Sequence, residues 1–252
     1  METEIRSIDI ATPDGVSDAR LAVPTENGRY PGVLFYMDAF GVRPTIDHWI
    51  ERIAAEGFVA LAPNLFYRSR RAPVIDDMAD LQDPEKRPRL FEGLRPMMSL
   101  LTPDNVARDA GAYLECLSDL PQTAPGPVGV TGYCMGARVG IVTAAAFPDR
   151  VAAMAGFHGG NLATEAADSP HLLAGKIKAE VYIAFADHDQ GASPEQQARL
   201  EDALTSAGIP HKIEVYEDAP HGYTMADTAA FRPDAAERHF ENLIALLNRR
   251  LK

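Results

Sequence analysis

Cysteine is scarce in this chain, which has two, Cys116 and Cys134, among 252 residues. A small secreted fold held together by disulfides would need more, so the sequence excludes that class. The cysteines and histidines also lack the spacing of a metal site. We therefore expect neither a metal nor another cofactor.

Long apolar runs and basic charge are also lacking. No apolar stretch is long enough to span a bilayer, and Met1-Glu2-Thr3-Glu4 does not resemble the start of a signal peptide. Lys and Arg number 24 against 36 Asp and Glu, giving a net charge of −12. This balance argues against binding to nucleic acid or to anionic membranes. We expect a cytoplasmic protein, a monomer or a homodimer, that acts on a small molecule.

Apolar runs alternate with helical patterns through most of the chain, and hydrophobic residues make up 46 %, enough for one core. The pattern predicts the α/β class, with a mostly parallel twisted sheet, helices on both faces and an antiparallel N-terminal edge. We expect residues 1–252 to form a single domain. The predicted strands are 5–10, 17–23, 32–37, 58–63, 127–133, 151–157, 180–186 and 211–217. The clearest predicted helices are 45–56, 104–117, 196–206 and 233–251.

Residues 64–100 interrupt this alternation. The segment is rich in Arg, Asp and Pro, including Arg68, Arg87, Arg89 and Arg95. Its composition predicts a cap-like excursion from the domain, with most arginines facing solvent by default.

Residues 132–136 read Gly-Tyr-Cys-Met-Gly, between an apolar run and an Ala-rich helical pattern. A strand that turns sharply into a helix at a reactive side chain is the nucleophile elbow of the α/β-hydrolase fold. Glycines on either side leave room for the turn. The central position here holds Cys134, where this fold usually has serine. Within this context we interpret Cys134 as a nucleophile, and Cys116 as a small buried hydrophobic residue of a helix.

A thiol nucleophile needs a base, and the base needs an acid that orients it. In this fold the order along the chain is nucleophile, acid and histidine, each at or after the end of a strand. His221 follows the last predicted strand and is the expected base. Asp187 and Asp189 share the turn after strand 180–186, and we favour Asp187 because it follows the strand directly.

At these residues the chain resembles the dienelactone hydrolases (carboxymethylenebutenolidases). The resemblance rests on the elbow around Cys134 and on the stretches Ala186-Asp187-His188-Asp189 and Ala219-Pro220-His221-Gly222. Met37-Asp38-Ala39-Phe40-Gly41-Val42 is similar to the family's segment after its third strand, and Pro63-Asn64-Leu65-Phe66-Tyr67-Arg68 to its Pro-Asp-Leu-Tyr stretch. The resemblance covers nearly the whole chain.

The resemblance implies a role for each matching residue. Cys134 would be the nucleophile, His221 the base and Asp187 its orienting acid. Asp38 stands where the family has a glutamate that helps to form the thiolate, although its side chain is one methylene shorter. The resemblance also implies that the backbone N–H groups of Met135 and Ala39 form the oxyanion hole.

The chain departs from the family pattern after the base. The family continues with Ser-Phe-Ala-Arg, whose arginine holds a substrate carboxylate, whereas His221 is followed by Gly222-Tyr223-Thr224-Met225. A second family arginine lies in the excursion, where Arg89 is the matching candidate. Further candidates for substrate contact are His158, Tyr133 and Tyr223.

The sequence therefore predicts a carboxylic ester or lactone hydrolase that works through a thioacyl-enzyme. Two other interpretations stay open. One is a catalytically silent member of the fold that binds a small molecule or a partner. The other is a redox-responsive thiol protein, in which Cys116 would have to resolve Cys134.

Overall fold

The computed structural model describes residues 1–83 and 85–252. Pro84, in the predicted excursion, lies outside the described residues. Within this part of the chain the strands are β1 (Thr3–Thr12), β2 (Gly15–Pro24), β3 (Gly32–Tyr36), β4 (Val59–Pro63), β5 (Val128–Tyr133), β6 (Val151–Phe157), β7 (Glu180–Ala186) and β8 (His211–Tyr216). They form a sheet in the order β1-β2-β4-β3-β5-β6-β7-β8.

The sheet is antiparallel at its N-terminal edge and parallel elsewhere. β1 pairs antiparallel with β2, and β2 pairs antiparallel with β4. Every later neighbour, from the β4–β3 pair to the β7–β8 pair, is parallel. Because side-by-side parallel strands end at the same edge, the segments that follow β3, β5, β6 and β7 meet there.

Six α-helices are found in the described residues. They are α1 (Pro44–Ala55), α2 (Arg87–Met98), α3 (Pro103–Asp119), α4 (Met135–Ala146), α5 (Pro194–Ser206) and α6 (Pro233–Leu251). Short 3-10 helices cover Met78–Leu81 and Pro170–Lys176. α1, α3, α5 and α6 each begin with proline, whose fixed φ suits the first helical position.

Helices cover both faces of the sheet. α1 and α6 share one face, where Trp49 packs edge-on against His239 with ring centroids 4.5 Å apart. Arg52 and Glu237 join the same two helices by a bidentate ion pair at 2.7 Å. α3, α4 and α5 lie on the opposite face. This arrangement confirms the predicted fold class.

The continuous apolar runs in the sequence correspond to the central strands of the sheet. Every residue of β3, β4 and β5 is buried, as expected for parallel strands covered on both faces. The buried apolar side chains form one cluster that includes residues from the N-terminal strands to α6. This agrees with the expectation of a single domain, which stays a prediction.

The predicted excursion contains the helix α2. All twelve residues of α2 are described, and Leu94 is the one that is buried. α2 is therefore held by few apolar contacts of its own, in contrast to α4, where nine residues are buried.

Candidate active site

Cys134 lies in the turn between β5 and α4. Its backbone has φ 56° and ψ −118°, a left-handed conformation that side chains other than glycine rarely adopt. The Cys134 N–H donates to the carbonyl of Phe157 at 3.0 Å, which ties the turn to the end of β6. Strain of this kind persists only where the surroundings over-determine it, as at functional sites.

The glycines around Cys134 are required by close backbone contacts. A Cβ on Gly132 would lie 2.1 Å from the carbonyl oxygen of Gly136. A Cβ on Gly136 would lie 2.4 Å from the carbonyl oxygen of Tyr36 in β3. The elbow therefore closes only with glycine at both positions.

His221 follows β8 and is half-buried, with 34 % of its side chain exposed. Its Nδ1 lies 2.6 Å from Oδ2 of Asp189, whose side chain is 8 % exposed. The other carboxylate oxygen of Asp189 accepts the Gly191 N–H at 2.8 Å. Asp189 is thus held by its own turn and bonded to the imidazole.

The choice of Asp187 as the orienting acid is therefore wrong in geometry. Asp187 Oδ2 accepts the Asp218 N–H at 3.0 Å, and its Oδ1 lies 3.7 Å from Nε2 of the exposed His188. The chain turns between the two carboxylates through His188, which has φ 51°. This left-handed residue is why the second aspartate, and not the one directly after the strand, reaches His221.

The pKa of His221 is raised from its ordinary value of 6.5 to about 10. Burial alone would lower it. Interactions with Cys134 and Asp189 raise it, and together they outweigh burial. Cys134, His221 and Asp189 thus form a series in which His221 is hydrogen-bonded to Asp189 and electrostatically coupled to Cys134.

A cavity of about 530 Å³ opens in front of this series. It is bounded by the segment after β3, by α2, by the elbow and by the loop after His221. The lining residues are Asp38, Ala39, Phe40, Arg87, Pro88, Phe91, Glu92, Arg95, Cys134, His158, His221, Gly222, Met225 and Thr228. The structure thus brings Cys134, His221, Asp38, Ala39 and His158 together, as the sequence suggested.

Asp38 lies in the cavity wall, and its carboxylate is paired with the guanidinium of Arg43. Its oxygens accept hydrogen bonds from Arg43 Nη1 at 2.5 Å and Nη2 at 2.9 Å. The Phe40 N–H also donates to Oδ1 at 3.1 Å. The carboxylate is therefore fixed by an ion pair, and a role in tuning the thiol stays a prediction.

His158 is fully buried at the end of β6 and has φ 40°. Its Nε2 lies 2.8 Å from the Thr224 hydroxyl, and its ring centroid lies 5.3 Å from that of His221. Its Nδ1 has no hydrogen-bond partner among the described residues. Burial and the adjacent His221 hold the pKa of His158 well below its ordinary value, so the ring is neutral.

Both tyrosines predicted to contact substrate lie elsewhere. Tyr133 is fully buried, stacks on Phe35 at 4.6 Å and bonds His239 Nε2 through its hydroxyl at 3.1 Å. Tyr223 is also fully buried and meets His158 edge-on at 5.0 Å. Neither lines the cavity, because each belongs to the aromatic packing behind it. Tyr223 supports His158 instead.

Arg89, predicted from the sequence to contact substrate, is not among the residues that line the cavity. It lines a separate surface depression with residues such as Arg70 and Asp76. Arg87 and Arg95 are the arginines that line the cavity, together with Phe91. Their spacing of four residues along α2 puts all three on one face, and this periodicity is the signal that could have found them.

Met135 is the first residue of α4, so its N–H is one of the free donors of the helix N-terminus. Ala39 lines the cavity beside Asp38.

In residues 1–83 and 85–252, no cluster of His, Cys, Asp or Glu could hold a metal ion. None of the helices described is both long and apolar enough to cross a bilayer.

The sheet order and the strained turn at Cys134 place the protein in the α/β-hydrolase fold class. A solved structure from Klebsiella pneumoniae subsp. pneumoniae, provisionally titled a dienelactone hydrolase, superposes with a TM-score of 0.85. It is 22 % identical in sequence, and the match covers 99 % of this chain and 100 % of that one. At this identity the likeness shows the fold.

The sequence comparison identifies the family. The model of the dienelactone hydrolase family matches residues 17–251, so the chain belongs to that family and is an ester or lactone hydrolase. A relative from Synechocystis, provisionally named carboxymethylenebutenolidase, is 29 % identical over 92 % of this chain and 91 % of its own. One of the same provisional name from Methylorubrum extorquens is 25 % identical over 94 % and 78 %.

Proposed function

We propose that the protein hydrolyses a small carboxylate-bearing ester or lactone through a thioacyl-enzyme on Cys134. The hydrogen bond of 2.6 Å from His221 to Asp189, with Cys134 and His221 lining one cavity, is the observation that supports this most strongly. In this mechanism His221 takes the proton of Cys134, and the resulting thiolate is the nucleophile. Asp189 keeps the imidazole in one orientation through Nδ1, which leaves Nε2 for the chemistry.

In the first step the Cys134 sulfur adds to the carbonyl carbon, and the carbonyl oxygen becomes an oxyanion. Collapse of this adduct breaks the ester C–O bond, and the departing oxygen takes the proton from His221. With a lactone, the leaving oxygen stays attached to the acyl chain. Water then attacks the thioester and gives a proton to His221. The thiolate departs, and the carboxylic acid is released.

The oxyanion would be stabilised by the backbone N–H groups of Met135 and Ala39. Two observations support this assignment. Met135 opens α4, where unpaired donors and the helix dipole favour a negative oxygen. Ala39 lines the same cavity, after the strand β3 that neighbours β5 in the sheet.

The cavity favours a substrate with a negative charge. Arg87 and Arg95 line the cavity from α2, and Phe40 and Phe91 add apolar surface to its wall. Guanidinium groups in the wall of the cavity are suited to pair with a substrate carboxylate. His158 is assigned a contact with the same substrate because it lines the cavity beside His221.

The relatives named carboxymethylenebutenolidase suggest enol-lactone substrates for this chain as well. Enol esters suit a thiolate nucleophile, since their leaving groups are good. The sequence after His221 lacks the family's arginine, so the carboxylate contact is assigned to α2 alone.

The test compares Cys134→Ala with Cys116→Ala, the other cysteine of the chain. With an activated aryl or enol ester, Cys134→Ala should lose at least about 10⁴-fold in kcat/KM. Cys116→Ala should retain wild-type turnover, because Cys116 lies half-buried in α3. Mass spectrometry of the quenched wild type should detect an acyl adduct on Cys134. Undiminished turnover by Cys134→Ala would contradict the proposal.

A further inference from the structure

Arg43 lies between the cavity wall and α1, and its side chain is completely buried. All five N–H donors of its guanidinium are used. Nη1 donates to Asp38 Oδ1 and to the Gly41 carbonyl at 3.0 Å, and Nη2 donates to Asp38 Oδ2. Nε and Nη2 donate to the two oxygens of Asp227 at 2.6 and 3.2 Å.

The two carboxylates come from different walls of the cavity. Asp38 begins the segment that carries Ala39 and Phe40, and Asp227 lies in the loop that follows His221. That loop supplies Met225 and Thr228 to the cavity lining. The buried Arg43 guanidinium, a fork of five donors, therefore connects two walls of the cavity. One wall is the segment with Ala39, the assigned oxyanion donor, and the other is the loop after His221.

The same contacts decide what Asp38 can do. Its two oxygens together accept three hydrogen bonds, and its charge is compensated by a guanidinium that does not lose its proton. Without Arg43 the Asp38 carboxylate would be an uncompensated negative charge in the cavity.

We propose that Arg43 is a positioning residue for hydrolysis, fixing the Asp38–Phe40 segment and its Ala39 N–H against the loop after His221 while neutralising Asp38. The inference rests on the proposed function, since it assumes that the Ala39 N–H contacts the oxyanion. It separates two effects of one side chain, geometry through the fork and electrostatics through the charge.

The charge effect concerns the thiol, so the other groups that share its cavity matter. They lie on the segment after β3, on α2, at the end of β6 and after β8. These groups are Asp38, Arg87, Glu92, Arg95, His158 and His221. Of these, Asp38 is the one that Arg43 directly contacts.

The experiment uses Arg43→Lys, Arg43→Met and the double variant Asp38→Asn/Arg43→Met. Two readouts are measured, kcat and KM for an activated ester, and the pH profile of Cys134 alkylation by iodoacetamide. Arg43→Lys keeps the charge and loses the fork, so kcat should fall about tenfold with an unchanged alkylation profile. This loss is smaller than the roughly 10²–10³-fold cost of removing an oxyanion donor outright.

Arg43→Met should also shift the alkylation profile to higher pH, because the bare Asp38 carboxylate disfavours a thiolate nearby. The double variant removes that carboxylate charge, so its profile should return to that of the wild type while kcat stays low. Arg52→Met is the matched control, since Arg52 pairs with Glu237 away from the cavity. It should leave both readouts unchanged.

Wild-type kcat in Arg43→Lys, or a wild-type alkylation profile in folded Arg43→Met, would overturn the inference. If Arg43→Met does not fold, the double variant decides, because it leaves no uncompensated charge at Asp38. Wild-type kcat there would equally overturn it. Turnover that survives Cys134→Ala would contradict the proposed function separately. In that case the alkylation profile of Arg43→Met still tests the charge effect.

Discussion

The two sides of the cavity are built in different ways. The side with Cys134 rests on fully buried strands, on a strained residue with φ 56° and on glycines that allow no Cβ. The side with Arg87 and Arg95 is a helix with one buried residue, Leu94. A reacting centre must be held within a fraction of an ångström, which a packed core can do. Substrate selection tolerates a looser support, and loops or excursions can change without disturbing the core.

Among variants that compare the two sides of the cavity, the largest effect should come from Asp189, on the side with Cys134. Asp189→Asn removes the charge that orients His221 and stabilises its imidazolium, so kcat/KM should fall about 10³-fold. Asp187→Asn, two residues away, should change kcat/KM by less than about threefold, because Asp187 bonds a backbone N–H and not the imidazole. Steady-state kinetics on one activated ester measures both. Equal losses in the two variants would contradict the assignment of Asp189, and not Asp187, as the acid that orients His221.

A second comparison pairs a glycine from each side. Gly132→Ala would place a Cβ 2.1 Å from a backbone oxygen, so we expect at least about 3 kcal/mol of lost stability. Gly93→Ala in α2 meets no atom within 4 Å, and it should stabilise the protein by about 0.5–1 kcal/mol. Urea denaturation of both variants gives the two values. A tolerated Gly132→Ala would show that the elbow can relax.

The α2 side can be probed through its arginines. Arg87→Gln should raise KM about tenfold for an ester that carries a carboxylate, since a charge-assisted hydrogen bond is lost. A neutral ester of the same size should show no such change. Arg89→Gln is the control, because Arg89 lines a different depression. If the neutral ester suffers equally, Arg87 shapes the cavity and does not select charge.

The smallest effect is a pH dependence of stability. His221 has a folded pKa of about 10 against an ordinary 6.5, because Cys134 and Asp189 stabilise its protonated form in the folded state against the effect of burial. This contribution is fully present below pH 6.5 and is lost as the pH rises through 10. The Tm difference between wild type and Asp189→Asn should therefore be largest near pH 6 and shrink toward pH 10. A difference that grows with pH would mean that His221 is neutral in the folded protein.

The sequence predicted the parts of the site that depend on local pattern. Cys134 was recognisable because glycines at its neighbouring positions, an apolar run before and a helical pattern after define the elbow locally. His221 was recognisable from its order after the last strand. The roles of both in catalysis remain proposals, but their placement in one cavity is as expected.

The sequence could not choose among residues whose direction depends on a turn or on helix phase. The side chains of Asp187 and Asp189 point in different directions because His188 between them has a positive φ. No adjacent glycine in the sequence indicates this turn. Arg87 and Arg89 differ by about 200° around α2, since each residue advances about 100°. Without the start and tilt of that helix, the cavity-facing arginine could not be identified.

The sequence by itself determined the α/β class, the antiparallel edge, the elbow with its cysteine and the histidine after the last strand. These follow from apolar periodicity and backbone sterics within short segments. Three features depend on tertiary packing: the carboxylate that bonds His221, the arginines that line the cavity and the bridge that Arg43 forms between Asp38 and Asp227. The reason is distance along the chain: Arg43 and Asp227 are 184 residues apart, and only the packing of the sheet brings them together.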